Sequence, residues 1–387
     1  MKNKIVHVTE AFAGGVLRCV VLLANLQAEA GHDVVIVHSF RRDTPPPEKL
    51  DAILDPRVNR RVVDFRTEIG LRDVLSLLKL LLILRRERAD IIHLHSSKAG
   101  ALGRVAALIL FGIDRTIYSP HGFSFLKKDV SRRTARAYIW IERLLHAIGG
   151  TIIGCSRSEA RYARMVLSRR RVGLVENAID LDFFDFGEPS GIENRSVVVC
   201  TSGRVTYQKA PWKFSRLAAD LSSKTNLRFV WFGDGDRTAV DAWIDQTVVD
   251  LSGWIDSDEL RQRLKESDLF ILPSLWEGMP LALIEAQAMG LPAVASRIAG
   301  NRDVIIHGVT GFLAHTDEEL MRYTRCLIDD GDLRRRMGAA AREFAAARFG
   351  PSQFYHSFAQ VSERLLGRIL REDDRVPIEA NVTARAE

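Results

Sequence analysis

Short apolar runs alternate with longer amphipathic segments through most of this chain. In the first half, the runs are KIVHV, DVVIVHS, DIIHLHS, RTIYSP and TIIGCS. They are continuous and rich in β-branched residues, which is typical of strands that are covered on both faces. Apolar residues at helical spacing follow the first run from Leu17 to Ala30 and end at Gly31. This order of elements predicts a parallel α/β sheet.

The alternation stops once and then restarts. Residues 182–196, DFFDFGEPSGIENRS, are acidic and aperiodic and contain Gly, Pro and Ser, so they predict a linker. The runs SVVVCTSGR, LRFVWFGDG, DLFILPS and PAVAS follow it. We therefore predict two Rossmann-like domains, residues 1–181 and 197–350, facing each other across a deep cleft at the carboxyl ends of their strands. A helix over 351–370 is expected to pack back on the first domain, and the polar residues 371–387 predict a disordered tail.

The charge of the chain is unevenly shared between its halves. Residues 1–185 hold 30 Lys and Arg against 20 Asp and Glu, a net +10, whereas the rest holds 25 against 29, a net −4, and the total is +6. A basic first half favours anionic ligands, anionic lipid or nucleic acid, or is simply a solvated surface. The sequence contains no recognised nucleic-acid-binding module, so we expect no nucleic-acid partner.

The cysteines and the apolar segments bear on the compartment. The four cysteines are far apart and form no CxxC pair, which indicates reduced thiols and no structural zinc. No signal peptide is evident at the start, and the longest apolar segment, residues 74–84, is interrupted by Lys79 and too short to span a bilayer. We expect a cytoplasmic protein.

Two carboxylates stand inside an apolar stretch, PSLWEGMPLALIEAQAMGLPAVAS, residues 273–296. Burying a charge is costly unless a partner compensates it. Proline and glycine place Glu277 in a loop, and a helix beginning near Pro280 places Glu285 about a turn and a half inside it. Two carboxylates beside the free N–H groups of residues 278–281 suit the binding of a polyol. The alternative is that Glu277 only caps the helix and Glu285 faces solvent.

Other loops that follow strands carry candidate ligand-binding groups. Gly14 and Gly15 open the first helix, where free N–H groups attract anions. Arg204 and Lys209 precede the first helix of the second half, so they could hold a diphosphate or simply face solvent. An Asp-x-Asp triplet, residues 234–236, follows LRFVWF, and two carboxylates placed directly after a strand could hold a divalent metal ion.

The stretch that contains Glu277-x7-Glu285 closely resembles retaining glycosyltransferases of the GT-B fold, family 4. GRVTYQK, FGDGD, SGWI and VTGFL occur in the family's order, and AFAGGV, HLHSSKAG, YSPHGFSF and CSRSEA resemble its first domain. The resemblance covers roughly residues 5–365. It implies that a nucleoside diphosphate sugar is held mainly by the second domain and that the acceptor lies mainly on the first.

The resemblance assigns roles at matching positions. Arg204 and Lys209 would bind the diphosphate and, with His121 near the reacting face of the sugar and Glu277 beside it, form the catalytic group. The donor-binding positions would be Gly14, Gly15, Arg204, Lys209, Gly233, Trp254, Ile255, Glu277, Gly278, Met279, Leu281 and Glu285, the last accepting from the ribose hydroxyls. Ala178 and Ala210 stand where the family usually has glycine, which leaves loop shape and donor choice open.

These observations lead to a functional expectation. We expect a retaining transferase that moves a sugar from a UDP-sugar to a glycan or polyprenyl-diphosphate-linked acceptor in bacterial surface polysaccharide synthesis, without a metal or other cofactor. Alternatives are a sugar-nucleotide 2-epimerase of the same fold and a metal-dependent transferase of the GT-A fold. The segment KKDVSRRTARAYIWIERLL could rest on an anionic membrane surface, unless Tyr138 and Trp140 belong to the core.

Overall fold

A computed structural model describes residues 2–41, 43–65, 70–184, 196–221 and 226–367. Within these ranges, two parallel β-sheets are each flanked by helices, as the apolar runs predicted. Most of the predicted linker, residues 185–195, and the whole of the predicted tail, residues 371–387, lie outside the described residues.

The first sheet contains seven parallel strands within the described residues, in the order β3-β2-β1-β4-β5-β6-β7. Its strands are β1 (Lys4–Thr9), β2 (Asp33–His38), β3 (Asn59–Val62), β4 (Ile91–His95), β5 (Thr116–Ser119), β6 (Thr151–Gly154) and β7 (Val172–Leu174). Its helices are α1 (Gly14–Glu29), α2 (Pro47–Ile53), α3 (Arg72–Glu87), α4 (Ser97–Ile109), α5 (Arg132–Ile148) and α6 (Arg157–Val166).

The second sheet contains six parallel strands within the described residues, in the order β10-β9-β8-β11-β12-β13. Its strands are β8 (Val197–Ser202), β9 (Leu227–Phe232), β10 (Asp250–Leu251), β11 (Leu269–Leu272), β12 (Ala293–Ser296) and β13 (Gly311–Ala314). The helices that accompany and follow it are α7 (Pro211–Leu221), α8 (Arg237–Trp243), α9 (Ser257–Lys265), α10 (Leu281–Ala288), α11 (Asn301–Val304), α12 (Asp317–Asp329), α13 (Gly331–Arg348) and α14 (Pro351–Leu365).

The apolar runs of the sequence account for the buried strands of each sheet. Strands β1, β2 and β4 are buried along almost their whole length because helices cover both faces of the first sheet. The strands β3, β7, β10 and β13 were not among the predicted runs. Of these, β3 reads NRRV and is mostly exposed at the sheet edge, so it lacks the apolar signature on which the prediction rested.

Helix α14 returns from the second sheet to the first. Phe354 and Phe358 of α14 pack in one cluster with Ile5 and Leu23. Phe349 lies just before α14, and its carbonyl accepts a hydrogen bond from Ile179 N–H at 3.0 Å. The two domains are therefore joined by this packing as well as by the chain itself. Among the described helices, none combines the length and apolar content that a membrane span requires.

Candidate active site

The loop between β11 and α10 holds the first glutamate of the predicted pair. Glu277 is buried, and its Oε1 accepts a hydrogen bond from Lys209 Nζ at 2.8 Å. Its Oε2 accepts from Gln208 Nε2 at 3.2 Å. Helix α10 begins at Leu281 and is capped by Pro280 without a side-chain cap, so the alternative in which Glu277 caps the helix is wrong. Glu277 is a buried carboxylate whose charge is balanced by a cation of the same domain.

The second glutamate is paired across the cleft. Glu285 is 1% exposed, which excludes the solvent-facing alternative. Its Oε1 accepts a hydrogen bond from Arg18 of α1, in the first domain. Burial raises the pKa of Glu285, while the positive charges of Arg18 and Lys209 act in the opposite direction. Its Oε2 is buried and has no hydrogen-bond partner among the described residues, so one carboxylate oxygen is left to accept from a ligand hydroxyl.

The structure places the two predicted phosphate-binding cations differently. Lys209 ends a 3₁₀ turn directly before α7 and points to Glu277. Arg204 is about half exposed and pairs with Asp43, which follows β2 in the first domain. Both cations therefore lie at the carboxyl end of β8, and both meet a carboxylate before any ligand is considered.

The glycine turn after β9 lies against the turn after β8. Gly233 has a φ of +139°, and a Cβ atom there would lie 2.3 Å from the carbonyl oxygen of Gly203. Only glycine fits this close approach of two backbones. Further along, Trp254 is largely exposed and Ile255 is half-buried in the segment before α9. The structure thus brings Gly233 to the predicted site and leaves the side chain of Trp254 mainly in solvent.

The acidic triplet after β9 has a local structural role. Asp234 Oδ1 accepts from the N–H of Gly235 at 2.8 Å, and Asp236 Oδ1 accepts from the N–H of Thr238 at 3.0 Å at the start of α8. Turns and helix N-caps favour aspartate for this reason. The triplet therefore has an explanation that requires no metal ion.

The first domain presents a helix N-terminus to the cleft. Gly14 has a φ of +55° and opens α1, and a Cβ atom on Gly15 would touch Leu281 Cδ1 at 3.8 Å. The amino ends of α1 and α10 therefore lie close together from opposite domains. Partial positive charge from both helices is directed at the space between them.

His121 lies in the loop after β5, close to the glutamate loop. Its φ is +52°, in the left-handed region that a residue with a Cβ rarely adopts. Its Nε2 is 3.0 Å from His95 Nδ1, and burial lowers the pKa of His121 to about 4. A Cβ atom on Gly278 would lie 2.9 Å from the N–H nitrogen of Gly122. His121 is therefore a neutral imidazole at pH 7 held beside the loop of Glu277.

Met279 and Leu281 complete the predicted set. Both residues are buried, so their apolar side chains offer a ligand no hydrogen bond and only their backbone groups could do so. The first backbone bonds of α10 are donated to the Pro280 carbonyl by Leu283 and Ile284, which leaves the N–H groups of residues 278, 279 and 281 ahead of the helical ladder. These N–H groups remain suitable donors to a ligand.

The two departures from the glycine pattern are accommodated differently. Ala210 has a φ of +49°, so the chain adopts there the conformation that glycine favours, and alanine carries a strain of about 1–2 kcal/mol. Ala178 is buried, and its neighbour Asn177 donates from Nδ2 to the carbonyl of Met279 at 3.0 Å. Both loops keep their contacts with the site.

Several residues that shape the site were missed by the sequence analysis. Arg18 and Asp43 are the cross-cleft partners of Glu285 and Arg204, and Glu159 accepts from the N–H groups of Gly122 and Cys155 at 2.7 and 2.8 Å. Arg18 lies three residues after Gly15, about one turn into the first helix, and this position was a local sign that its side chain could reach the cleft. The partnerships themselves join residues far apart in sequence and have no local pattern.

A cluster of imidazoles lies behind His121. His7, His93 and His95 are buried on β1 and β4, where His7 and His93 are register partners. His7 Nδ1 is 2.9 Å from His95 Nε2, and His7 Nε2 is 2.7 Å from Gln27 Oε1. His93 Nε2 instead meets Ser119 Oγ at 2.8 Å. Burial lowers the pKa of His7 to about 4 and those of His93 and His95 well below the usual value, so the cluster is neutral at pH 7.

The assembled cleft combines cations, helix N-termini and carboxylates. Lys209, Arg204 and the N–H groups of residues 278, 279 and 281 suit an anionic group such as a diphosphate. Glu277 and the free oxygen of Glu285 suit hydroxyl groups. A ligand that carries phosphate and several hydroxyls fits this arrangement.

Models of two protein families match the chain in succession. The model described as "Glycosyltransferase Family 4" matches residues 13–183, and the model described as "Glycosyl transferases group 1" matches residues 183–344. An Escherichia coli protein named UDP-Gal:alpha-D-GlcNAc-diphosphoundecaprenol alpha-1,3-galactosyltransferase is 34% identical over 270 residues, 64% of this chain and 68% of its own length. The amylovoran biosynthesis glycosyltransferase AmsK of Erwinia amylovora is 33% identical over 72% of this chain and 70% of its own length.

Solved structures of related shape cover nearly the whole chain. Sucrose-phosphate synthase from Thermosynechococcus elongatus matches with a TM-score of 0.81 and 18% identity over 95% of this chain and 100% of its own. Anabaena Alr3699/HepE in complex with UDP and glucose matches with a TM-score of 0.77 and 18% identity over 94% of this chain and 100% of its own. The predicted GT-B architecture is confirmed, and the alternative of a GT-A fold is wrong.

The buried imidazoles predict an acid-sensitive fold. Because the folded pKa of His7 is about 4 and the unfolded value is 6.5, the unfolded chain binds more protons between these two pH values, so stability falls as pH is lowered through this window. His7 alone accounts for about 3 kcal/mol of the free energy of unfolding that is lost once the pH is below both pKa values. In a His7→Leu variant, the melting temperature measured from pH 7.5 to pH 4.5 should therefore fall less than in the wild type. Parallel curves for the two proteins would contradict this assignment.

Proposed function

This chain belongs to glycosyltransferase family 4, and on that premise we propose that it is a retaining enzyme that transfers a hexose or related sugar from a UDP-sugar. The acceptor is a glycan linked to a polyprenyl diphosphate, and the product serves the synthesis of a bacterial surface polysaccharide. The observation that carries the proposal is Glu285, a buried carboxylate with one oxygen paired to Arg18 and the other without a partner in the described structure.

The names of similar proteins support the donor and the acceptor. The Escherichia coli relative is named for UDP-galactose and for an acceptor joined to diphosphoundecaprenol. The Erwinia amylovora relative is named for the biosynthesis of amylovoran. The Anabaena structure of similar fold contains UDP and glucose. The E. coli and Anabaena names support a UDP-sugar donor, and the E. coli name supports a lipid-linked glycan acceptor.

The binding mode follows from the paired charges. The ribose hydroxyls of the donor donate to Glu285 Oε2, and the diphosphate takes Lys209 and Arg204 as its cations. Arg204 leaves Asp43 for the phosphate, a small loss because both side chains of that pair are about half exposed. Glu277 and the N–H groups of residues 278, 279 and 281 hold the hydroxyls of the transferred sugar.

The reaction breaks the bond between the anomeric carbon and the β-phosphate oxygen. Positive charge develops on the sugar while negative charge develops on the departing UDP, and fixed cations and N–H dipoles stabilise that negative charge. The acceptor hydroxyl oxygen bonds to the anomeric carbon on the face that UDP leaves, and its proton passes to the departing phosphate oxygen. Configuration is retained, and no carboxylate acts as a nucleophile. The two cations and the helix N-termini provide the charge stabilisation, so we propose that no metal ion is required.

Membrane contact is the second part of the proposal. On α5, Arg132, Arg133 and Arg136 are exposed, and Trp140 is 69% exposed. Trp140 therefore does not belong to the core, whereas Tyr138 is half-buried. An aromatic side chain beside exposed cations suits the interface of an anionic membrane.

Helix α3 carries a second apolar stripe on the same domain. Leu71, directly before the helix, and Leu75, Leu78 and Leu82 within it recur at spacings of four, three and four residues, and all four are exposed. Helix α4 packs between α3 and α5, so the three helices lie on one side of the first sheet. The exposed side chains of these helices form a candidate membrane face.

Charge favours lipid over a second protein copy as the occupant of this face. Arg72, Lys79, Arg85 and Arg86 flank the leucines, and all are exposed. The acidic residues of α3 face other partners, since Asp73 pairs with Lys98 at 2.7 Å and the buried Glu87 pairs with Lys4 at 2.7 Å. Two α3 helices would bring like charges together, whereas anionic lipid would neutralise them.

A donor screen tests the proposed activity. UDP-, GDP- and ADP-sugars are assayed for slow hydrolysis and for a shift in melting temperature, with excess EDTA in every sample. A UDP-sugar, with UDP-galactose in the set, is expected to be hydrolysed and to raise the melting temperature, and EDTA is expected to leave the rate unchanged. Hydrolysis of GDP- or ADP-sugars alone would reject the UDP assignment, and loss of all activity in EDTA would reject the metal-free mechanism.

Two substitutions separate binding from turnover. Glu285→Ala removes the acceptor for the ribose hydroxyls and is expected to raise the Kd of the donor, whereas Arg204→Ala removes a cation from the leaving group and should mainly lower kcat. By analogy with an oxyanion-hole donor, the loss in kcat is about 10²–10³-fold. Arg216→Ala is the matched control, because Arg216 is an exposed residue of α7 paired only weakly with Asp220 at 3.8 Å. Near-normal kinetics in both site variants would place the site elsewhere.

Vesicle flotation tests the membrane face. Vesicles of phosphatidylcholine with and without phosphatidylglycerol are floated with the wild type, with Arg132, Arg133 and Arg136 all changed to Glu, and with a Leu78→Gln, Leu82→Gln double variant. At about 1 kcal/mol for each basic residue near the surface, the triple variant should lose about a hundredfold in partitioning to anionic vesicles. A triple Arg→Glu variant at 216, 228 and 237 in the second domain is the control. Equal partitioning of all proteins would reject the membrane face.

A further inference from the structure

A line of hydrogen bonds runs through the core of the first domain to His121. It begins at Gln27 of α1, continues through His7 of β1 and His95 of β4, and ends at His121 after β5, with successive distances of 2.7, 2.9 and 3.0 Å. Gln27, His7 and His95 are all buried. We refer to these four residues as the imidazole chain.

Each link of the imidazole chain determines the next. A neutral imidazole has one N–H and one lone pair, so a ring that donates from one nitrogen must accept at the other. With the carbonyl oxygen of Gln27 facing His7, His7 donates from Nε2 and accepts at Nδ1 from His95. His95 then accepts at its own Nδ1 from Nε2–H of His121, which leaves a lone pair on His121 Nδ1.

The amide of Gln27 therefore sets the direction of the whole chain. If Gln27 presented its NH2 group to His7, every ring would exchange its donor and acceptor nitrogens, and His121 Nδ1 would carry a proton. If a further histidine stood in place of Gln27, the hydrogen bonds could run in either direction, because each neutral ring can donate or accept at either nitrogen. A buried side-chain amide at the end of the chain has one donor end and one acceptor end, and in this structure the acceptor end, Gln27 Oε1, faces His7.

His121 is held where this choice matters. Its left-handed backbone and the bond from Gly122 N–H to Glu159 fix the loop, and Gly122 lies against Gly278 of the glutamate loop. The chain occupies Nε2 of His121, so Nδ1 is the nitrogen that remains for a ligand. A lone pair there accepts from a sugar hydroxyl, whereas a proton there would donate instead.

We propose that Gln27, acting through His7 and His95, holds His121 in the tautomer whose Nδ1 accepts a hydrogen bond from a hydroxyl of the transferred sugar. Gln27, His7 and His95 are positioning residues in this view, since none of them touches the ligand. The statement about the sugar rests on the proposed function, but the statement about the tautomer does not.

The tautomer is measured on the ligand-free protein. With ¹⁵N-labelled histidine, long-range ¹H–¹⁵N spectra distinguish protonated from unprotonated ring nitrogens, and a His121→Ala spectrum assigns the His121 signals among the 10 histidines. In the wild type we expect His121 to carry its proton on Nε2 alone. In Gln27→Met and in His7→Leu, which cut the chain at successive links, we expect protonation of Nδ1 to appear.

The matched control is His93→Phe. His93 is buried in the same cluster, and its ring centroid is 4.0 Å from that of His95, but its hydrogen bond goes to Ser119 and not into the chain. The His121 signals should be unchanged in this variant. A proton on Nδ1 in the wild type, or unchanged His121 signals in both cut variants, would overturn the proposal.

Kinetics with UDP-galactose test the use of the tautomer. Gln27→Met is expected to lower kcat/KM for hydrolysis by about two- to tenfold, the range for one neutral hydrogen bond. The same comparison is made with the 2-, 3-, 4- and 6-deoxy analogues, and with the one that lacks the bonded hydroxyl, wild type and variant should give equal rates. An equal loss on UDP-galactose and on all four analogues would indicate a general structural defect and overturn the role toward the sugar. If UDP-galactose is no substrate, the proposed donor fails, and the spectra still decide the tautomer.

A metal ion is the competing use of the same nitrogens. The ligand atoms of His7, His93 and His95 all lie within 4.8 Å of one another. Elemental analysis of the purified protein should find no stoichiometric transition metal. If the wild type contained a metal ion that the His93→Phe variant lacked, the histidines would be metal ligands and not a hydrogen-bonded chain, and the proposal would be overturned.

Discussion

A carboxylate that leaves water must meet a cation or a set of donors, and this requirement governs the architecture of the cleft. Glu285 meets Arg18, 267 positions away, and Glu277 meets Lys209, 68 positions away. The first of these pairs cannot form until both domains have folded and approached each other. The complete site is therefore a property of the assembled molecule, and neither domain holds it alone.

The strand order of the two sheets explains why the candidate site is formed by the loops that follow a few central strands. In the first sheet β1, β4 and β5 are neighbours, so Gly14 after β1, His95 at the end of β4 and His121 after β5 lie at adjacent strand ends. In the second sheet β9, β8 and β11 are neighbours, and Gly233, Lys209 and Glu277 follow these three adjacent strands. Parallel strands end at the same edge, and the central strands bring their loops closest together. The ends of the edge strands β3 and β10 lie further from these central loops. Asp43 reaches the cleft from the loop after β2, which is next to the edge strand β3.

The sequence allowed prediction of the features that depend on local order. Continuous β-branched runs predicted the buried strands, and Pro280 predicted the start of α10. It could not predict the partners of the charges, because Arg18 and Glu285 meet only through the relative position of two domains. The imidazole chain was missed for the same reason: HLH is visible in the sequence, but only the parallel register of β1 and β4 places His7 beside it. Strand β3 was missed because its exposed polar sequence has no strand signature.

The two cross-cleft pairs differ in what their rupture would cost, and this difference shapes how a ligand enters. Arg204 and Asp43 are both about half exposed, so their separation costs at most about 1 kcal/mol. Breaking the pair of Arg18 with the buried Glu285 would cost about 3–5 kcal/mol, because an uncompensated charge would remain in the interior. In the binding mode that we propose, a phosphate would therefore displace Asp43 from Arg204 readily, whereas Arg18 would stay on Glu285 Oε1. The remaining oxygen, Oε2, would accept from ligand hydroxyls, and the Arg18 pair would keep the two domains in register while Arg204 changes partner.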